Sequence, residues 1–427
     1  MNILIIGSGS REHAIGWHLA QSPKVSKLFF TPGNAGTITL GENLVMNLGK
    51  PSECITLAKS KKIDMVIIGP GLFLQRGVSD IFSAASIKVF GPSKRAAEIE
   101  YSKVFSKKLL TQLGIPTPIF EIFNDYASAL FFLRKHSFPV VIKTDGIARG
   151  RGVAIVHNFI EGENFLNDIF ISKKFGNDGR RIIIEQFIEG FEISSHAFCD
   201  GNTAIMMPFS QDHKRFYDGD KGPNTAGLGA VCPVSNLPDN FAKEILTKVI
   251  LPIMKALKEQ GKSFLGVMYP GIILTKTGWY VLEINARFGD PEAQCYMRLL
   301  DTDLYEIIEA CIDGNLNNME VKWKNKAACC LVLTTFGYAN NTYKKGGVIC
   351  GLEKFTSPLH TILFYGETKM IDGQVVTNGS RIMGISSVGE NLKEAVQYAY
   401  QGIRPIEFDD MYFRKDIGVK ALIKNSL

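Results

Sequence analysis

The chain has 427 residues, 45% of them hydrophobic and 21% charged, with a formal net charge of +6. At roughly 150 residues per domain, that length implies about three units with clefts between them, and the composition excludes a disordered or fibrous protein. The longest apolar runs, such as Ile3 to Ile6 and Met65 to Ile68, fall far short of the about 20 residues of a membrane helix, and Lys and Arg are scattered, so small phosphorylated molecules are better partners than a membrane or a nucleic acid.

The opening Met1-Asn2-Ile3-Leu4-Ile5-Ile6-Gly7 lacks the basic flank and cleavage site of a signal peptide and reads as a first strand. Eight cysteines, at 54, 199, 232, 295, 311, 329, 330 and 350, form no C-x-x-C pair. They read as buried thiols of a reducing cytoplasm. Up to about Pro92, the short β runs Ile3 to Ile6, Leu28 to Thr31, Met65 to Gly69 and Val89 to Gly91 alternate with helical segments, the pattern of a parallel α/β unit.

Its first turn, Gly7-Ser8-Gly9-Ser10-Arg11-Glu12-His13, follows a strand and opens a helix, so its backbone N–H groups could hold an anion, with Arg11 as a phosphate-capable side chain. The glycines could equally serve only a tight turn. A dinucleotide fingerprint is excluded, because Glu12 holds its third glycine position and Thr31-Pro32-Gly33 stands where an acidic residue should end the second strand.

A second region runs from about Ala96 to Lys326, opening with a helix that carries Lys103. The strand Val140-Val141-Ile142-Lys143 leads through Asp145-Gly146-Ile147-Ala148-Arg149-Gly150-Arg151-Gly152 into a second strand, Val153 to Val156. Strands on both sides predict a hairpin flap, not a Walker loop, with glycine mobility and arginine donors suited to a triphosphate. The strand Arg181 to Glu185 then runs into Gln186-Phe187-Ile188-Glu189-Gly190-Phe191-Glu192, where backbone groups could read an adenine edge and Glu192 a ribose hydroxyl.

Between Ser210 and Gly229 lies a polar stretch, Gln211-Asp212-His213-Lys214-Arg215 and Gly222-Pro223-Asn224-Thr225-Ala226-Gly227, whose mixed charges suit a small zwitterionic or phosphorylated substrate or else a mobile loop. The strand Trp279 to Asn285 is the most informative piece. Its period of two puts Glu283 and Asn285 on one face, with Leu282 and Ile284 expected to pack on the other. A carboxylate and an amide oxygen are hard ligands for Mg²⁺ shared with nucleotide phosphates, and Arg287 would offset charge at a transferring phosphoryl group. Phe288-Gly289-Asp290-Pro291-Glu292 turns the chain and presents two more carboxylates. From about Ala327, an apolar strand and the turns Gly346-Gly347 and Asn378-Gly379 predict a small α+β domain.

Taken in order, Gly7-Ser8-Gly9 with Arg11-Glu12-His13-Ala14, Gln211-Asp212-His213-Lys214-Arg215, Gly222-Pro223-Asn224-Thr225, Arg287-Phe288-Gly289-Asp290-Pro291-Glu292-Ala293-Gln294 and Arg414-Lys415-Asp416-Ile417-Gly418 resemble the phosphoribosylamine–glycine ligases (glycinamide ribonucleotide synthetases) of the ATP-grasp superfamily, over nearly the whole chain. The resemblance implies a multi-domain α/β and α+β protein: an N-terminal parallel α/β (pre-ATP-grasp) domain over 1–102, a two-lobed ATP-grasp domain over 103–326 with a mobile flap lobe at about 118–192, and a small α+β domain over 327–427. It implies ATP binding by Lys103, Lys143, Gly150, Arg151, Gly152, Glu185, Gln186, Phe187, Ile188 and Glu192. Glu283 and Asn285 would hold Mg²⁺ or Mn²⁺. Gly9, Arg11, Glu12, Asp212, His213, Lys214, Asn224, Thr225, Gly227, Arg287, Asp290, Pro291 and Glu292 would meet the substrates, with Arg287 and Asp290 catalytic. The implied reaction is glycyl phosphate formation and capture by 5-phosphoribosylamine, an early step of purine synthesis, in a cytoplasmic monomer or weak homodimer. Departures from that pattern are Arg149 for a small residue, Arg151 for lysine, Ala226 for glycine and Gly71 for the glutamate of Gly-Pro-Glu. An ATP-grasp ligase with another carboxylate or amine is the first rival, and a non-catalytic nucleotide-binding protein or a Rossmann-type reductase the second.

Overall fold

The computed structural model describes residues 1–148, 151–235, 237–355 and 360–422. Asn2–Gly7, Lys27–Pro32, Glu42–Asn43, Met65–Ile68 and Lys88–Phe90 form a five-stranded sheet in which every pairing is parallel and the first strand is central. Ile3 to Ile6 and Met65 to Ile68 are all buried, which explains runs of apolar residues without alternation: a parallel sheet is covered on both faces.

Two antiparallel sheets make the middle of the molecule. Phe120–Phe123, Ile182–Gln186, Val140–Thr144 and Val153–Val156 build the first, with the expected hairpin pairing Val140 to Val156 and Lys143 to Val153. Helices Tyr126–Lys135 and Phe159–Leu166, capped by the side chains of Asp125 and Asn158, share a small core with it through Ala129, Leu133, Ile142, Leu166 and Ile184. Leu265–Thr275 is the axis of the second sheet. It pairs with Ala197–Asp200 over its first half, with Phe191–Ser194 over its second, and with Gly278–Asn285 along the other edge.

The fourth large sheet runs Gln211–Asp212, Gly229–Cys232, Ala327–Thr335, Arg381–Gly389, Thr361–Tyr365, again antiparallel, with Met411–Tyr412 added to the end of Ala327–Thr335. Two of its strands therefore come from the polar 211–232 stretch. That stretch is woven into the C-terminal sheet, a long-range pairing that the short strand Gly229–Cys232 does not advertise in sequence.

Every residue of the helix Glu292–Leu299 is buried. It packs against the helix Ser10–Leu19 and the C-terminal sheet, and one apolar core joins Ile3, Ile5 and Ile15 to Cys295, Tyr296, Ala328, Cys330 and Phe364. The turn that precedes this helix is thereby fixed where the N-terminal, central and C-terminal parts meet. All eight cysteines are free; seven are buried as expected, whereas Cys350 is exposed. Among the described residues, no helix is long and apolar enough to cross a membrane.

Candidate active site

A cleft of about 970 Å³ opens between these parts, and the strand Gly278–Asn285 forms its floor. Glu283 and Asn285 face it together, as the alternation requires. Leu282 departs from the expected pattern. The pairing skips from Gly271–Glu283 to Ile272–Val281, a bulge that leaves Leu282 unpaired, half-buried and lining the cleft, while Val281 and Ile284 supply the core contact. The bulge turns the Leu282 carbonyl toward Lys143, whose ammonium donates to it at 3.1 Å.

Glu283 accepts from Lys214 at 3.3 Å, and the same ammonium pairs with Glu192. Lys214 holds the Glu283 carboxyl well below the usual range against the cost of burial, with Lys143 and Lys103 adding to the effect. Burial disfavours the Lys214 charge, but Glu192 and Glu283 outweigh it and push its pKa well up. An ionised carboxylate that already carries a cation, with the Asn285 amide oxygen two residues on, fits a divalent ion whose other ligands are phosphates and water. Among the described residues no cluster of three or more His, Cys, Asp or Glu suits a metal, so those two oxygens would act with the nucleotide rather than as a closed cage.

Arg287 is fixed on all three nitrogens. Nε donates to Glu100 Oε1 at 2.9 Å, one terminal nitrogen to the Phe288 carbonyl at 2.9 Å, and the other to Asn285 Oδ1 at 3.0 Å. A guanidinium has five N–H groups, so two remain for a ligand. Glu100 was not singled out in the sequence, and an acidic residue one turn before Lys103 is an ordinary sight near a helix start.

On the nucleotide side, Lys103 donates to the Gly146 carbonyl at the base of the flap, and Asp145 ties that base to Ser102, to the Val104 N–H at 3.0 Å and to Arg181. Glu185, expected near adenosine, is buried between two lysines. It pairs with Lys143 and, at 2.8 Å, with Lys107. Burial, which opposes its ionisation, is outweighed by Lys143 and then Lys107, so its pKa falls. Burial lowers Lys107 to about 8 despite that partner. Lys107, like Glu100, carries no distinguishing mark in the sequence. Arg151, Gly152, Gln186, Phe187 and Ile188 line the cleft, whereas Arg149 and Gly150 lie outside the described residues.

In the N-terminal turn, one of the backbone N–H groups that could hold an anion is already taken by a carboxylate. The Gly9 N–H donates to Glu12 Oε2 at 2.7 Å, and Glu12 Oε1 accepts from Arg11 Nε at 2.6 Å. A Cβ at Gly7, Gly9 or Gly69 would run into the Glu12 carboxylate. The glycines therefore make room for a buried carboxylate, and Arg11 also reaches the Phe288 carbonyl at 3.2 Å.

Around the Gly289 turn, Glu292 is buried and accepts from Tyr269 at 2.6 Å and Ser194 at 2.8 Å, neither of which was marked by sequence. Asp212 lines the same part of the cleft, near enough to feel the charge of Glu292. Burial and then Glu292 push the Asp212 carboxyl well up, and its Oδ1 has no hydrogen-bond partner among the described residues. Asp290 accepts from Gln294 at 2.8 Å and from Arg381 at 2.7 Å. His213 spends both ring nitrogens on backbone: Nδ1 bonds the Gly229 carbonyl at 3.1 Å and Nε2 accepts from the Gly418 N–H at 3.2 Å. Thr225 is likewise turned inward, its hydroxyl donating to the Lys214 carbonyl at 2.8 Å. Asn224 lines the cleft. Gly227 needs to be glycine: its φ is +104° and a Cβ there would lie 2.5 Å from Pro291 Cδ and 2.7 Å from Asp212 Oδ1.

Comparison with known proteins accounts for this arrangement. The family models for the phosphoribosylglycinamide synthetase N domain, ATP-grasp (A) domain and C domain match residues 1–100, 101–293 and 328–420. A phosphoribosylamine–glycine ligase of Caldanaerobacter subterraneus is 42% identical over 417 residues, 98% of this chain and 99% of its own. One from Halalkalibacterium halodurans is 39% identical over 427 residues, covering 100% and 99%. The crystal structure of the phosphoribosylamine–glycine ligase from Thermotoga maritima superposes with a TM-score of 0.83 at 31% identity, covering 98% of this chain and 100% of that one.

Proposed function

The chain belongs to the phosphoribosylglycinamide synthetase family, and from that premise we propose that its cleft ligates glycine to 5-phosphoribosylamine at the expense of ATP. It is an ATP-dependent carboxylate–amine ligase that acts with a divalent metal. The observation that carries the site assignment is the strand end Glu283, Asn285 and Arg287, held in one orientation opposite Lys103 and Lys143.

The reaction divides into two displacements. The glycine carboxylate attacks the γ-phosphorus of ATP, the bond to ADP breaks, and glycyl phosphate forms. The amine of phosphoribosylamine then attacks the acyl carbon, phosphate leaves, and the amine gives up a proton as the amide forms. Neither displacement requires a protein nucleophile, so the residues work by position and charge. A divalent ion, which we take to be Mg²⁺ or Mn²⁺, would neutralise phosphate oxygens from Glu283 and Asn285. Lys103, fixed on the Gly146 carbonyl, and Lys143, fixed on Glu185 and the Leu282 carbonyl, present positive charge to the phosphates. Arg287 offers its two spare N–H groups to the transferring group. The flap with Arg151 and Gly152 excludes water from glycyl phosphate, while Gln186, Phe187, Ile188 and Glu192 border adenosine. Asp290 works beside Arg287 at the amino-acid side, where Asp212, Pro291 and Glu292 form the wall. Gly9, Arg11, Glu12, Lys214 and Asn224 face phosphoribosylamine, and His213, Thr225 and Gly227 shape the loop between them.

We assign 1–102 to the amine substrate, 103–326 to the nucleotide and 327–427 to closure of the cleft, in a cytoplasmic monomer or weak homodimer with no nucleic-acid or membrane partner. The seven buried thiols suit a reducing compartment. Measuring ADP release with a panel of carboxylates and amines tests the substrate reading: turnover should require glycine and phosphoribosylamine together. Turnover with another acid, and none with glycine, would instead identify an ATP-grasp ligase of different specificity.

A further inference from the structure

Arg381 brings the C-terminal sheet into the cleft, although in sequence it only follows the turn at Asn378-Gly379 and opens the strand Arg381–Gly389. One terminal nitrogen donates to the Asp290 carboxylate at 2.7 Å. The other donates to two carbonyls, that of Asp290 at 3.0 Å and that of Ala226 at 2.9 Å. The Ala226 N–H in turn donates to the Tyr338 hydroxyl at 2.8 Å, so both polar groups of Ala226 are held by the C-terminal part. Glu367 accepts from the backbone N–H groups of Ser380 and Arg381, which fixes the base of the arginine itself.

We propose that Arg381 is a positioning residue for the ligation: by tying the Ala226 carbonyl to the main chain and carboxylate of Asp290, it assembles the amino-acid side of the cleft and makes the C-terminal domain part of the active site. This rests on the glycine-ligase reading given above. Three acceptors on two separate segments match a planar guanidinium and exceed what one ammonium can reach in fixed geometry. Asp290 loses its orientation, not its presence, when the tie is cut. Glycine binding should suffer while nucleotide binding, which relies on Lys103, Lys143 and Glu185 across the cleft, should not.

The full-length chain carrying Arg381→Lys, Arg381→Ala, Asp290→Asn or the Ala/Asn pair is assayed by ADP release, varying glycine, phosphoribosylamine and ATP separately. Arg381→Lys should raise the glycine KM about 10- to 100-fold and leave the ATP KM within about twofold. Free guanidinium should restore part of the kcat/KM lost in Arg381→Ala and nothing in Asp290→Asn, and the double variant should be no worse than the worse single one. Equal rises in both KM values, additive losses, or no rescue in a folded Arg381→Ala protein would overturn the proposal, and if that variant does not fold, the KM split of Arg381→Lys decides alone. Wild-type protein without glycine-dependent turnover would refute the ligase reading, whereas active wild type with unchanged Arg381→Lys kinetics would refute only this inference.

Discussion

Glu100 grips Arg287 and the peptide that carries it at once: Oε1 accepts from Arg287 Nε and Oε2 from the Ala286 N–H, both at 2.9 Å. The two residues lie 187 positions apart in the chain. Gly71 makes the arrangement possible, since a Cβ there would sit 2.5 Å from Glu100 Oε1 and 2.8 Å from its Cδ. A side chain at position 71 would therefore meet the carboxylate of Glu100.

Glu100→Gln keeps the shape but removes the charge that orients Arg287. It should lower kcat about 10- to 100-fold, the loss expected when a charge-assisted bond to a phosphate-facing guanidinium is weakened. Gly71→Ala should do the same without touching either charge. Steady-state ADP release by both variants checks this, and near-normal kcat in both would show that Arg287 needs no such partner.

Glu283 is ionised because Lys214, Lys143 and Lys103 surround it, so it is ready for a metal at any ordinary pH. Glu283→Ala should cut divalent-ion-dependent turnover by at least about 100-fold while the thermal transition stays put, because the side chain faces a cleft. Direct titration of the metal with nucleotide present should show weakened binding. Unaltered metal affinity would remove Glu283 from the ligand set.

Glu185 is the shared partner of two buried lysines, Lys107 and Lys143. Glu185→Gln leaves both cations without a counter-charge, and breaking such a pair from one side costs about 3–5 kcal/mol. The urea midpoint should fall accordingly and the ATP KM should rise. A variant as stable as the parent would mean that the two lysines find other partners or lose their protons cheaply.

Burial depresses His13 and His213 from 6.5 to about 4. Between those values the unfolded chain binds more protons than the folded one, so stability is fully present above pH 6.5 and drains away as pH falls toward 4. From pH 7 to pH 5 the loss should be about 2 kcal/mol for each histidine. Urea unfolding at pH 7, 6 and 5 measures it, and because burial lowers His196 and His18 as well, His213→Asn should reduce the slope without abolishing it. An identical slope in the variant would place His213 outside this linkage.

Much of the site was legible because its chemistry is local. Glu283 and Asn285 share a face through strand alternation, and the flap announces itself as glycines between two β runs. Leu282 was misplaced because a bulge depends on the neighbouring strand, at Gly271 and Ile272, and leaves no mark of its own. Glu12 was visible as a break in a fingerprint, but only the packing against Gly7, Gly9 and Gly69 reveals a buried carboxylate that takes the turn's N–H group. Glu100, Lys107 and Arg381 could not be seen, since each acts on a residue far away in the chain and sits in an ordinary local sequence.

The central claim, activation of glycine as an acyl phosphate, is tested most directly with glycine labelled with ¹⁸O in both carboxylate oxygens. Attack of a carboxylate oxygen on the γ-phosphorus carries that oxygen into the phosphate released on amide formation. The account predicts one labelled oxygen in inorganic phosphate for each amide formed. Phosphate free of label, with amide still produced, would contradict it.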